Sequence, residues 1–162
     1  MRKFSRALAL ATLAFALAGC KYWIAGHNVD YSLIVSGEGI INMADDTSTY
    51  ELIIDDSNVK CSGRTVGTLK KPEIVGSRGK AEISCSDGRK GTGELLVTSM
   101  EGGTSSGTDD CGNSIQMVWG INEYNIRRSL ETFRKTRADR KVAAADKCDA
   151  SDDAPPHRDP LS

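Results

Sequence analysis

The 162-residue chain has few of the side chains that catalysis and large cores draw on. There are two histidines, His27 and His157, and both are read as solvated, in an N-terminal tether and a C-terminal tail. A Ser-His-Asp triad needs an imidazole held on a rigid scaffold, so neither is a candidate. No two cysteines form a C-x-x-C pair, which removes a zinc or thioredoxin-like site. The Gly-rich stretch 101–107 lacks G-K-[ST] and leads towards a strand, and Gly76-Ser77-Arg78-Gly79-Lys80 fails the P-loop spacing. Asp45-Asp46 and Asp109-Asp110 lie in turn-rich sequence, so they read as turn formers rather than as the facing carboxylates of a glycosidase. Asp109, Asp110 and Asn113 lack the ligand order of an EF-hand. The expectation is therefore no catalytic residue, no metal and no cofactor. No run of eighteen apolar residues occurs, so no segment spans a bilayer as a helix.

The N-terminus is the most informative part. Arg2, Lys3 and Arg6 precede an apolar run from Ala7 to Ala18 that only Thr12 interrupts. Its length suits the apolar region of a signal peptide. It has no polar face to show water, which argues against an amphipathic helix. The run closes on Leu17-Ala18-Gly19-Cys20. This segment resembles the lipobox of bacterial lipoprotein precursors. The resemblance covers residues 1–20 and implies cleavage before Cys20, a diacylglycerol on its thiol and acylation of the new amino group. Two or three chains on one residue hold a protein at a membrane almost permanently, because each buried methylene contributes roughly 0.8 kcal/mol. In such lipoproteins an Asp after the Cys commonly retains the protein on the inner membrane. Lys21 stands here, which favours the outer membrane, facing the periplasm.

Without residues 1–19 the chain is the size of one ordinary domain. The leader takes three of the 21 basic residues and none of the 22 acidic ones, leaving a net charge of −4. That excludes a strongly basic nucleic-acid binder. Phe4 and Phe15 leave too, so Phe133 is the one phenylalanine remaining. A core this short of aromatics gains from covalent staples. Four cysteines remain besides Cys20: Cys61, Cys85, Cys111 and Cys148. In an oxidising compartment they read as two disulfides. Cys61-Ser-Gly-Arg64-Thr-Val-Gly67-Thr68 echoes Cys85-Ser-Asp-Gly-Arg89-Lys-Gly91-Thr92, which suggests two similar hairpins with strand-end cysteines in reach of each other. The predicted pairs are Cys61–Cys85 and, by elimination, Cys111–Cys148.

Residues 20–30 read as the lipidated Cys and a tether, 31–145 as a β-rich domain, and 146–162 as a disordered polar tail. Predicted strands are Tyr31–Val35, Thr49–Ile54, Val59–Cys61, Lys80–Cys85, Gly93–Thr98 and Asn113–Trp119, with 101–113 a loop. A helix over about 122–142 starts at the N-cap Asn122, with Glu123 in its first turn. Ile126, Leu130 and Phe133 give it one apolar stripe. The fold class is mainly β: a small antiparallel meander or barrel-like sheet of five to six strands with one C-terminal helix. The stretch from Cys85 to Trp119 loosely resembles small secreted β-rich proteins of proteobacteria, a resemblance that implies no activity.

Function is read as a non-enzymatic binding or structural module on the bacterial envelope, held by its lipid. An inhibitor of a host or rival hydrolase such as lysozyme is the alternative, and a cell-wall enzyme is less favoured. The one marked charge feature is the basic end of the helix, Arg134, Lys135, Arg137, Arg140 and Lys141. Beside a short tether it would meet an anionic membrane surface or envelope polymer. The partners expected are thus the membrane itself and an anionic envelope polymer or envelope protein, with no nucleic acid.

Overall fold

The computed structural model describes residues 19–42, 44–57, 59–68 and 73–145. They form a closed barrel of eight antiparallel strands in simple up-and-down order. The strands are β1 (Cys20–Asn28), β2 (Ile34–Asn42), β3 (Thr47–Ile54), β4 (Lys60–Thr68), β5 (Arg78–Cys85), β6 (Lys90–Ser99), β7 (Gly102–Asp109) and β8 (Ser114–Gly120). β8 pairs back onto β1, so no edge strand is left to recruit another chain. One helix follows, α1 (Glu123–Asp139), and packs outside the barrel, mainly on β1 and β8. Among the described residues no helix is long and apolar enough to cross a membrane.

The mainly-β class and the C-terminal helix agree with expectation. The strand number does not, and two segments account for the difference. Cys20–Asn28 is a strand rather than a tether. Tyr22 and Ile24 point into the barrel while Ala25, on the opposite face, is fully buried on the side where α1 packs. Both faces are covered, so the polar/apolar alternation that marks a one-sided strand is missing. Residues 102–109, read as loop, form β7. Their Gly, Ser and Thr have little strand propensity of their own, but β6 and β8 supply a ladder on each side. The echo between Cys61 and Cys85 also misled in part. The Cys85–Arg89 segment does turn, whereas 61–68 runs straight within β4.

Inward positions follow from register. Tyr50 and Tyr22 both face Gly39, Leu52 and Ile24 both face Gly37, and Trp119 lies between Ile24 and Gly103. The buried core is Tyr22, Ile24, Leu33, Val35, Tyr50, Leu52, Ile54 and Cys61. Glycines make the aromatics fit. A Cβ on Gly39 would lie 2.6 Å from the Tyr22 ring, and one on Gly103 2.8 Å from the Trp119 ring. The outer wall carries cross-strand ion pairs: Lys21–Glu38 at 2.8 Å, Arg64–Glu82 at 3.3 Å and Arg78–Glu94 at 3.8 Å.

The two barrel ends differ. The end at Asn28 is closed by tight turns and a buried polar knot. There the nearly buried Arg89 donates through Nε to Asp87 Oδ2 at 2.7 Å and its Nη1 lies 3.7 Å from Asp109. Asp109 also accepts from the backbone N–H and side-chain amide of Asn113, both at 2.8 Å. The end at Cys20 is open.

Candidate functional site

The open end leads into a cavity of about 240 Å³ inside the barrel. Tyr22, Ile41, Thr65, Leu95, Val97 and Trp119 line it, drawn from β1, β2, β4, β6 and β8. Each faces inward by strand alternation, and Gly67 leaves the opposite wall open. Tyr22 and Trp119 meet edge to face, with centroids 6.0 Å apart, the arrangement that the ring quadrupoles favour.

Polar side chains share the mouth with the apolar ones, among them Asp46, Ser48, Thr65, Ser99 and Glu101. The Tyr22 hydroxyl shares a 3.1 Å hydrogen bond with Ser48 Oγ. Tyr50, one layer deeper, donates to the Glu82 carbonyl at 3.1 Å. Burial pushes the Tyr22 phenol up, with the Ser48 hydrogen bond opposing. Burial also pushes Tyr50 up, to about 12, helped by the nearby Tyr22 and Glu82. Both phenols are therefore neutral hydrogen-bonding groups near pH 7. Asp46 lies at the rim. Its Oδ1 is buried and has no hydrogen-bond partner among the described residues. A buried acceptor left unpaired costs free energy that an incoming donor can recover.

Broader grooves run along the outer wall, among Lys21, Glu38, Glu51, Arg64 and Glu82. They are open to solvent and edged by exposed ion pairs, which contribute little.

Cys20 is a free, exposed cysteine at the mouth. Cys61 and Cys85 are disulfide-bonded across paired positions of β4 and β5, with Cα atoms 3.9 Å apart. Cys111 is also disulfide-bonded; Cys148, its expected partner, lies outside the described residues, as do His157 and the tail 146–162. His27 sits on β1 rather than in a tether. Its ring stacks on Tyr31 at 4.1 Å and meets Phe133 edge on at 4.5 Å, fixing α1 to the wall. Asp109, Asp110 and Cys111 cluster, but the Cys111 sulfur is committed to its disulfide and Asp109 to Asn113 and Arg89.

The basic end of α1 is not beside Cys20. Arg134 pairs with Asp55 at 2.7 Å and Arg137 with Asp56 at 2.6 Å, both in the β3–β4 turn of the closed end. Arg140 lies 4.9 Å over the Tyr31 ring. Lys135 and Lys141, exposed, belong to the same end. The cluster lies at the end of the barrel opposite Cys20. The sequence reading missed the mouth, although Leu95, Val97 and Trp119 fell in predicted strands. Their convergence depends on barrel closure, which no local pattern encodes.

No family model matches the sequence, and no curated protein does. Among solved structures, the chain is similar to a redesigned β-barrel, mFAP1, bound to DFHBI, at 17% identity over 66% of this chain and 96% of that one, with a TM-score of 0.49. It is also similar to a fluorescence-activating β-barrel designed de novo, at 14% identity over 64% and 93% of the two chains, with a TM-score of 0.48.

Proposed function

We propose that this chain is a lipid-anchored envelope protein of bacteria that acts without catalysis, binding a small, neutral, mainly apolar molecule in the mouth of its barrel. The observation that carries the reading is the cavity in the barrel mouth between Tyr22, Leu95, Val97 and Trp119, walled mainly by apolar side chains with Ser48 and Thr65 among them. Pockets of this kind take their affinity from apolar walls and their orientation from one or two polar groups. The apolar walls favour a neutral ligand and disfavour a carboxylate, whose charge would lose its water there. The volume suits one short alkyl chain or a small ring. Lys21 directly after Cys20 supports the periplasmic face of the outer membrane as the place of anchoring. Inhibition of a hydrolase finds less support, because tight turns such as Cys85–Arg89 leave no long loop at the closed end.

The test uses residues 20–162 with Cys20→Ser, which keep every strand. Titration with 1-decanol should change Trp119 emission saturably, and decanoate should bind at least about tenfold more weakly, a difference of roughly 1.4 kcal/mol. Val97→Phe, which fills the cavity, should abolish the decanol response. No saturable response, or equal binding of both ligands, would overturn the reading.

A further inference from the structure

The large apolar side chains left exposed are distributed unevenly. Ile40, Val66, Val75, Met100, Ile121 and Tyr124 are between 47% and 72% exposed and all lie around the open end. Among the described residues, only Val29 and Ile53 are comparable elsewhere. The closed end instead carries Asp30, Asp55, Asp56 and the basic end of α1. A ring of exposed apolar groups at one end of an otherwise charged barrel marks an interaction surface.

The chain itself says what covers it. The apolar run Ala7–Ala18 ends two residues before β1, and Cys20 is already paired with Ile41 in the β1–β2 ladder. Whatever holds the N-terminus at a membrane, leader or lipid, therefore meets the protein at this rim with no tether between. We propose that the open end docks face-down on the bilayer, with Met100, Ile121 and Tyr124 entering the interfacial layer and the mouth opening onto lipid. This rests on the reading that residues 1–20 deliver the chain to a membrane. Rim docking and cavity binding remain separable.

The rim also carries Asp45, Asp46, Glu73 and Glu101. Docking through the exposed apolar side chains is apolar in origin.

The full chain with Cys20→Ser, which keeps its apolar leader, is reconstituted into phosphatidylcholine vesicles with a nitroxide at Met100→Cys or at Val29→Cys. Power saturation against oxygen and a water-soluble nickel chelate reads the depth of each label. The label at 100 should shift to the oxygen-accessible side while the label at 29 stays with the chelate. Retention on vesicles with both labels in water would overturn docking and leave the membrane reading standing. Failure to float with the vesicles would overturn both. Should Met100→Cys not fold, Tyr124→Cys gives the same comparison.

Discussion

At Arg89 the barrel buries a guanidinium, which Asp87 and Asp109 face and help to compensate. The side-chain hydrogen bond from Arg89 holds the Asp87 carboxyl below the usual carboxylate range, against the opposing effect of burial. A carboxyl lowered in the folded state stabilises it fully above the unfolded value of about 3.9, and that contribution is lost as pH falls through the lower folded value. Urea midpoints of the wild type should therefore drop on acidification below about pH 4. Asp87→Asn should be less stable at neutral pH and should lose less between pH 5 and pH 3. Arg89→Met leaves Asp109 buried beside no cation and should cost about 3 kcal/mol or more. A wild-type and Asp87→Asn pair with parallel pH profiles would show that the pairing contributes nothing.

At the scale of elements, what could be read from sequence depended on whether one face of a strand meets water. β3 alternates from Ser48 to Ile54, inward residues buried and outward ones exposed, and was visible for that reason. β5 and the core of β8 were visible on the same grounds. β1 was not, because α1 covers its outer face, and β7 was not, because its strand character comes from its neighbours. The Cys61–Cys85 pairing was legible through the echo, even though half of that echo is strand rather than turn. The bond closes a loop of 24 residues. On the chain-entropy model such a loop contributes roughly 3 kcal/mol. Cys61→Ala with Cys85→Ala should lower the urea midpoint correspondingly while the far-ultraviolet signal at low urea stays that of a β protein. A double variant as stable as the wild type would show that the β4–β5 ladder needs no staple. The mouth itself had no sequence signature, since Ile41, Thr65, Val97 and Trp119 are brought together only by closure.

For the whole molecule, polarity decides between two kinds of barrel. A membrane-spanning barrel turns an apolar band outward and a polar lumen inward. This one does the reverse, with Tyr22, Leu52 and Ile54 inside and Lys21, Glu38, Glu51, Arg64, Lys80, Glu82 and Glu94 on the wall. Burying that wall in hydrocarbon would strip water from several charges at once, which exposed ion pairs do not offset. The barrel wall therefore suits water, and on the reading proposed above attachment to a membrane would fall to the N-terminus and the apolar rim. The two contribute very differently. Acyl chains on Cys20 would add roughly 0.8 kcal/mol for each methylene, whereas a few rim side chains would give weak, reversible contact. It follows that the intact protein should fractionate with membranes, carrying a mass added at Cys20 and no residues before it. The chain begun at residue 20 with Cys20→Ser should instead run as a monodisperse species without detergent and associate only weakly with vesicles. Aggregation of that chain unless detergent is present, with the fold retained, would mean that the outer wall is less water-compatible than its charges require. An unmodified Cys20 in the membrane form would move the anchor elsewhere and leave the rim to explain retention alone.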